Sequence, residues 1–542
     1  MTKEASAVAE RDGKPREIHR KRLHVDNRPQ LVLFAPEPIA ETEESALKAR
    51  SGGVRQYEDP SPEGILIGKE DLRSFLKSRG EKTAFGLRKL VRSLELKAFH
   101  QAPPKAGRRP YHPASLLGLI LFGILEGRSS LRQLEVLARS DVRSWWITGG
   151  IHPDHSVIGR FIQQYREALT EEFFIELTGQ ILSWSKSQGG DLSGDGTLIQ
   201  AAGSRYRKLT LEAAEKAEKE ALEAHEEKPE DEALSRQSRQ ASTVAEAARD
   251  REKRRQEHHN KGKVLVSPSE PDSYIQPLKN KRGVAPSYKP VVLSNGDQII
   301  VSQTVHPSSE HAEYSHLLDQ AEASSGEVKR IRLDSGYFVF SVIEESARRR
   351  IELLCPEGKG VKPKKSKLYS KSEFRYDCEG DYFECPSGQR LVLTGKRGKE
   401  RDREYQTYGK ADCRHCELRE HCTTCQKGRT VKRYVGDELK DQIRAHMQQE
   451  SNQDEYRKRS AMVEPVFARI KQHQGLRRFR RMGLANVRVE FAFHAMVHNI
   501  IRWMALDPSF LRIFSALRGA VRSQLDRFGT HLRILKLFPI FV

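Results

Sequence analysis

Hydrophobic residues recur three and four positions apart from Leu72 to Trp184, then give way to short alternating runs, and that change of period divides the chain. In the first stretch Ser115 is positioned to cap LLGLILFGILEG, and Ser129 or Ser130 to cap LRQLEVLARS. Gly149-Gly150 breaks the chain after Trp145-Trp146, and Ser156 opens a run of helical period that ends near Trp184. Several short helices with basic ends fit a helix-turn-helix-like DNA reader and a plain helical scaffold equally well.

Beyond Leu192 the pattern predicts LSGDGTLIQAA as a strand, with Asp195 at its start, and PVVLSNGDQIIVSQTV as a hairpin turning at Asn295-Gly296. A helix (EHAEYSHLLDQAEA), a strand ending in a glycine turn (VKRIRLDSGYF), a helix (FSVIEESARRR) and a strand (IELLCPE) follow, which is a mixed α/β order. Two insertions interrupt it. Residues 209–260, rich in Ala, Glu, Lys and Arg with Pro229 near the middle, predict an exposed helical hairpin, and residues 356–430 hold most of the cysteines. Residues 1–62 lack periodicity and read as a disordered arm.

Charge narrows the partner. Lys and Arg number 94 against 74 Asp and Glu, a net charge of +20, and a cationic chain gains affinity for phosphate backbones by counterion release. The longest apolar run, Leu116–Leu125, is too short to span a membrane, and the polar start of the chain predicts a cytosolic protein.

Asp195 in SGDGT and Asp334 in RLDSGY are, one at a time, ordinary turn residues. Glu464, in YRKRSAMVEPVFARIKQHQGLRRFRR, shares a helix face with Lys471, and Pro465 predicts either a kink or a helix start at Glu464. Gly475–Gly483 packs four arginines, Arg477, Arg478, Arg480 and Arg481, around one aromatic; a planar fork of donors suits phosphate. His494 and His498 read as core histidines.

DGTLIQA, LDSGY and Tyr-x2-Arg…VEPVFARIK, in that order, resemble the acidic triad of bacterial insertion-sequence DDE transposases of a cysteine-bearing branch. PYHPASLLGLILFGILEGRSSLRQLE, IHPDHSVIGRFIQQY and SEPDSYIQ carry the same resemblance, which covers roughly residues 85–505. It implies an RNase H-like catalytic core and a triad of Asp195, Asp334 and Glu464 holding Mg²⁺ or Mn²⁺. Tyr456, Arg459 and Lys471 would then contact DNA. It departs in two places: Arg459 and Glu464 are separated by four residues where the familiar signature has three, which puts the role of Arg459 in doubt, and the hairpin entry SYKPVV lacks the commoner Asn after Tyr.

The cysteines follow the same logic. All seven lie after position 350, and Cys413-x2-Cys416 offers two ligands at the bite of a tetrahedral zinc site. Similar insertions in the resembling group point to Cys385, Cys413, Cys416 and Cys422 as structural Zn²⁺ ligands, with Cys378, Cys425, His415 and His421 as rivals. Cys355 reads as a buried strand residue.

The expected architecture is α/β: a helical N-terminal DNA-binding domain (63–185), the first part of the catalytic domain (186–355), the zinc-ribbon-like insertion (356–430), the catalytic completion (431–506) and a C-terminal tail (507–542). The expected activity is binding of element ends, then metal-dependent cleavage and strand transfer. The partners are double-stranded DNA, as terminal inverted repeats and target, and a second copy of the chain. The protein would associate with the nucleoid. The alternative is a catalytically inactive DNA-binding descendant.

Overall fold

The computed structural model describes residues 57–99, 109–257, 262–278, 283–358, 368–400, 403–409 and 413–508. The arm up to residue 56 and the tail from residue 509 lie outside the described residues. Residues 57–62, which composition assigns to the arm, belong to the fold: Glu58 exchanges backbone hydrogen bonds with Pro110 and His112, and Ser61 caps the 3-10 turn Pro62–Gly64.

A small hairpin, β1 (Leu66–Ile67) and β2 (Glu70–Asp71), precedes the helices of the first half. The apolar helix Pro113–Leu125 begins at His112, whose Nδ1 accepts from the Ala114 amide, and Ser115 is buried inside it. Pro113 at the first helical position is the physical reason: its missing N–H is no loss there. Ser130 does cap Leu131–Ser140, in a full capping box with Gln133. Asp154, not Ser156, caps the next helix, and the predicted long run is three: His155–Gln164, Arg166–Thr170 and Glu172–Ser185.

The main sheet contains β3 (Asp191–Gly196), β4 (Ile199–Gln200), β5 (Tyr274–Pro277), β6 (Val284–Asn295), β7 (Ile300–His306), β8 (Arg330–Arg332) and β9 (Glu352–Leu354). Across its middle the order is β7-β6-β3-β8-β9, with β6 antiparallel to β3 and β7, and β8 and β9 parallel to β3. Asp195 therefore stands near the end of β3, not at the start of a strand. The β6–β7 turn also differs in detail. Gly296 keeps an ordinary φ, whereas Gln298 takes the left-handed one (+62°), and the Asn295 side chain accepts from the Asp297 and Ile299 amides.

The helix Arg459–Gln472 packs on this sheet and continues past Pro465, so it does not start at Glu464. Proline deprives the carbonyl four residues back, that of Ala461, of its amide donor. The Gln298 side chain replaces it, donating to Ala461 O at 3.0 Å.

One apolar core runs from Leu72 in the first helices, through the sheet, to Trp503 in the helix Leu484–Leu506. Two satellites have cores of their own. The hairpin of Leu211–Glu227 and Glu232–Glu257 closes over Val244, Ala245 and Ala248. The cysteine-bearing insertion is an antiparallel sheet of β10 (Arg375–Asp377), β11 (Tyr382–Glu384), β12 (Arg390–Glu400), β13 (Arg403–Gly409) and β14 (Val431–Tyr434), packed on Phe374, Phe383, Leu391 and Tyr408. Among the described residues no helix is long and apolar enough to cross a membrane.

Candidate active site

Parallel pairing of β3 with β8 matches Ser193 to Arg332. Carried on by two residues, the same register sets Asp195 beside Asp334, and the period of a strand puts both on one face. The glycines around Asp195 are required by close approach: a Cβ on Gly194 would meet Leu333 Cδ2 at 2.5 Å, and one on Gly196 would meet Glu310 Cγ at 2.5 Å. Asp334 lies just past β8, where its Oδ1 accepts from the Gly336 amide at 2.9 Å.

Burial pushes the Asp195 carboxyl above its usual range, and the fields of Asp334 and Glu310 add to this, while Arg459 opposes it. Arg459, only 12% exposed, forms an ion pair with Asp195 at 2.9 Å and donates to Gly194 O at 3.3 Å. Tyr456 sits in the same field: burial raises its hydroxyl pKa, Asp334 and Asp195 push the same way, and Arg459 pulls against them. Glu310 is ion-paired to Lys289 at 3.0 Å.

Glu464 is exposed on the Arg459–Gln472 helix, seven residues before Lys471, and forms no hydrogen bond or ion pair with any described residue. Lys471, on the same face, donates instead to Thr197 Oγ1 and to Leu198 O at 3.1 Å. Among the described residues no group of three or more His, Cys, Asp or Glu stands in metal-ligating arrangement. The donor chemistry of Asp195 and Asp334 nevertheless fits a hard divalent cation, because both offer carboxylate oxygens and Arg459 pairs with only one of them.

The arginine loop divides into two kinds of residue. Arg478 is spent on the protein: its guanidinium donates to the carbonyls of Ala201, Ala202 and Gly203. Arg481 is partly buried, and the backbone amides of Arg480 and Arg481 donate to the buried carboxylate of Glu490. The Arg477 and Arg480 side chains are exposed, and Arg477 donates from Nε to Lys471 O at 3.2 Å. His494 and His498 are fully buried; desolvation drives both pKa values down to about 3.

Cys385, Cys413, Cys416 and Cys422 line one cavity, together with Tyr369, Arg419 and Arg429. Burial raises the Cys422 thiol pKa, and the other three cysteines act on it in the same direction while Arg429 opposes them. The four thiols are thus gathered without forming a ready-made ligand group. Cys378 and Cys425 are exposed, and neither they nor His415 and His421 line that cavity. Cys355 is buried, its thiol donates to Asp334 O at 3.2 Å, and burial pushes its pKa up to about 12.

Sequence reasoning missed one buried cation. Arg332 is 0% exposed and forms a two-pronged ion pair with Asp191 on β3, and it also binds Glu455 O and Glu455 Oε2, each at 2.7 Å. An arginine two residues before Asp334 and an aspartate four before Asp195, both in strands, were the available signal.

Two family models match, one on each side of the aspartate pair. The Transposase domain (DUF772) matches residues 74–164, and the Transposase DDE domain matches residues 384–504. The second spans the four cavity cysteines, Tyr456, Arg459, Glu464, Lys471 and the arginine loop. No curated protein matches the chain. Over residues 74–164 and 384–504 the chain is thus similar to transposases, and the second of these matches is to a transposase DDE domain.

Proposed function

We propose that the protein binds the ends of its own insertion element and catalyses metal-dependent DNA strand cleavage followed by strand transfer. The observation carrying this reading is the register that sets Asp195 beside Asp334, with the Arg459–Gln472 helix packed across their strands. The sheet order β7-β6-β3-β8-β9, three antiparallel strands followed by two parallel ones, supports an RNase H-like core.

Asp195, Asp334 and Glu464 would hold Mg²⁺ or Mn²⁺. The metal would supply charge neutralisation at the entering and leaving oxygens of the phosphodiester and a water acidic enough to attack it. Arg459 orients the Asp195 carboxylate. Tyr456, in the field of the two aspartates, and Lys471, Arg477 and Arg480 would contact phosphate, whereas Arg478 and Arg481 shape the loop. Cys385, Cys413, Cys416 and Cys422 would hold a structural Zn²⁺ in a zinc-ribbon-like insertion; four thiols around one cavity match that donor set.

The domain division is retained as part of this reading, with residues 63–185 as the DNA-end reader. Joining two ends calls for a dimer on double-stranded DNA, in the bacterial cytoplasm at the nucleoid. A second reading, a DNA-binding descendant without catalysis, draws on the exposed Glu464 carboxylate, which no described residue holds in place.

The test is Mg²⁺-dependent cleavage of duplex DNA carrying the gene's flanking ends, comparing wild type with Asp195→Asn and Glu464→Gln. The proposal expects cleavage at the ends by wild type alone. Equal cleavage by wild type and Glu464→Gln removes Glu464 from the triad; binding without cleavage by any of them favours the second reading.

A further inference from the structure

Residues 204–208 form a loop that the fold holds rigidly at both ends. At one end Gly203 donates to Glu270 Oε1 at 2.6 Å, and Glu270, 0% exposed, also accepts from the Tyr288 hydroxyl at 2.9 Å. Arg478 grips the carbonyls of Ala201, Ala202 and Gly203, and the Phe479 amide donates to Gln200 O at 2.8 Å. At the other end Leu209 and Val266 exchange backbone hydrogen bonds of 2.9 Å each.

Between these anchors stand Arg205, Tyr206, Arg207 and Lys208. Tyr206 is 78% exposed, the most exposed large hydrophobic side chain described, and the Arg205 guanidinium lies 4.7 Å from its ring centroid. A single exposed tyrosine is ordinary. This one is presented by an anchored loop, flanked by cations, and tied through Arg478 to the loop that exposes Arg477 and Arg480. With Arg205 against one face and against its hydroxyl, and the rest of the side chain exposed, such a ring flanked by cations makes a surface that takes a phosphate backbone and stacks a base. Bases in intact duplex have both faces covered by their neighbours, so the ring selects a base that has left the stack.

We propose that Tyr206, with Arg205, Arg207 and Lys208, is a stacking site for an unpaired DNA base at the edge of the catalytic face. This rests on the transposase reading above, and it assigns the site a strand state: single-stranded or frayed DNA rather than closed duplex.

The test uses the full-length protein and two probes, a fluorescein-labelled oligothymidylate and an element-end duplex with 2-aminopurine at its terminal positions. Tyr206→Ala is expected to weaken oligothymidylate binding about tenfold or more, the loss of one stacked base, while Tyr206→Phe retains it. Arg207→Ala is expected to lower the salt slope by about one. With the duplex, wild type should change 2-aminopurine emission at one position and Tyr206→Ala should not. Oligothymidylate binding unchanged in Tyr206→Ala, or lost equally in Tyr206→Phe, overturns the proposal. If the tyrosine dependence holds but wild type cuts no element ends, the stacking site stands and the transposase reading falls.

Discussion

Arg332 and Asp191 face each other across neighbouring parallel strands in a two-pronged ion pair, immediately upstream of Asp334 and Asp195. The same guanidinium holds Glu455, next to Tyr456, so one buried charge joins the two strands and the helical segment that carry the candidate site. Removing its partners should hurt more than removing the charge. The double variant Asp191→Asn/Glu455→Gln is expected to lose about 3 kcal/mol or more in denaturant unfolding, because a buried cation is left uncompensated. Arg332→Met is expected to stay close to wild-type stability yet cut DNA at least tenfold more slowly, through misplacement of the reacting groups.

The passage of a helix through Pro465 depends on a side chain from another element. Gln298→Ala leaves Ala461 O without its donor, and is expected to lower unfolding free energy by about 1–2 kcal/mol. In a Pro465→Ala background the backbone amide returns, and the cost of Gln298→Ala should shrink. A double-mutant cycle reads this directly; additive effects would refute the link.

The two buried histidines set an acid limit. Both have folded pKa values of about 3 against an ordinary 6.5, so they are neutral in the fold and protonate when it opens. Between those values the unfolded chain binds more protons, and stability therefore falls as pH drops below 6.5 toward 3. Denaturant midpoints at pH 7 and pH 5 should differ more in wild type than in His494→Gln/His498→Gln.

Two arginines of one loop should behave differently. Arg480→Ala is expected to reduce the slope of log binding constant against log salt by about one, as expected for a phosphate contact. Arg478→Ala removes donors to three carbonyls and is expected to lower the unfolding midpoint instead. Measuring both quantities on both variants separates the roles.

Much of this was legible because local signals are strong: the capping box at Ser130, the two-helix insertion and the alternating strands each announce themselves within a few residues. Caps were misjudged where a hydroxyl near an apolar run outweighed a better signal, Pro113 after His112 or Asp154 ahead of Ser156. The aspartates were visible as motifs, yet their adjacency is a matter of strand register, which no short window contains. The ties of Arg332 and Gln298 connect residues far apart in the chain and have no pattern to betray them.

Zinc should reveal itself by composition. Protein purified without chelator is expected to carry about one zinc per chain by elemental analysis, lost in Cys413→Ser together with the thermal stability of the β10–β14 sheet. A zinc-free wild type of equal stability would dismiss the site.

The continuous apolar core from Leu72 to Trp503 sets the terms on which this protein is open to redesign. A helical region meant to be exchanged for another specificity must carry its own interior, and this one shares its interior with the sheet. Transplanting the first helices from a relative would tear the seat of the candidate chemistry, whereas the cysteine-bearing sheet and the helical hairpin, each closed over its own small core, are the pieces that swap cleanly.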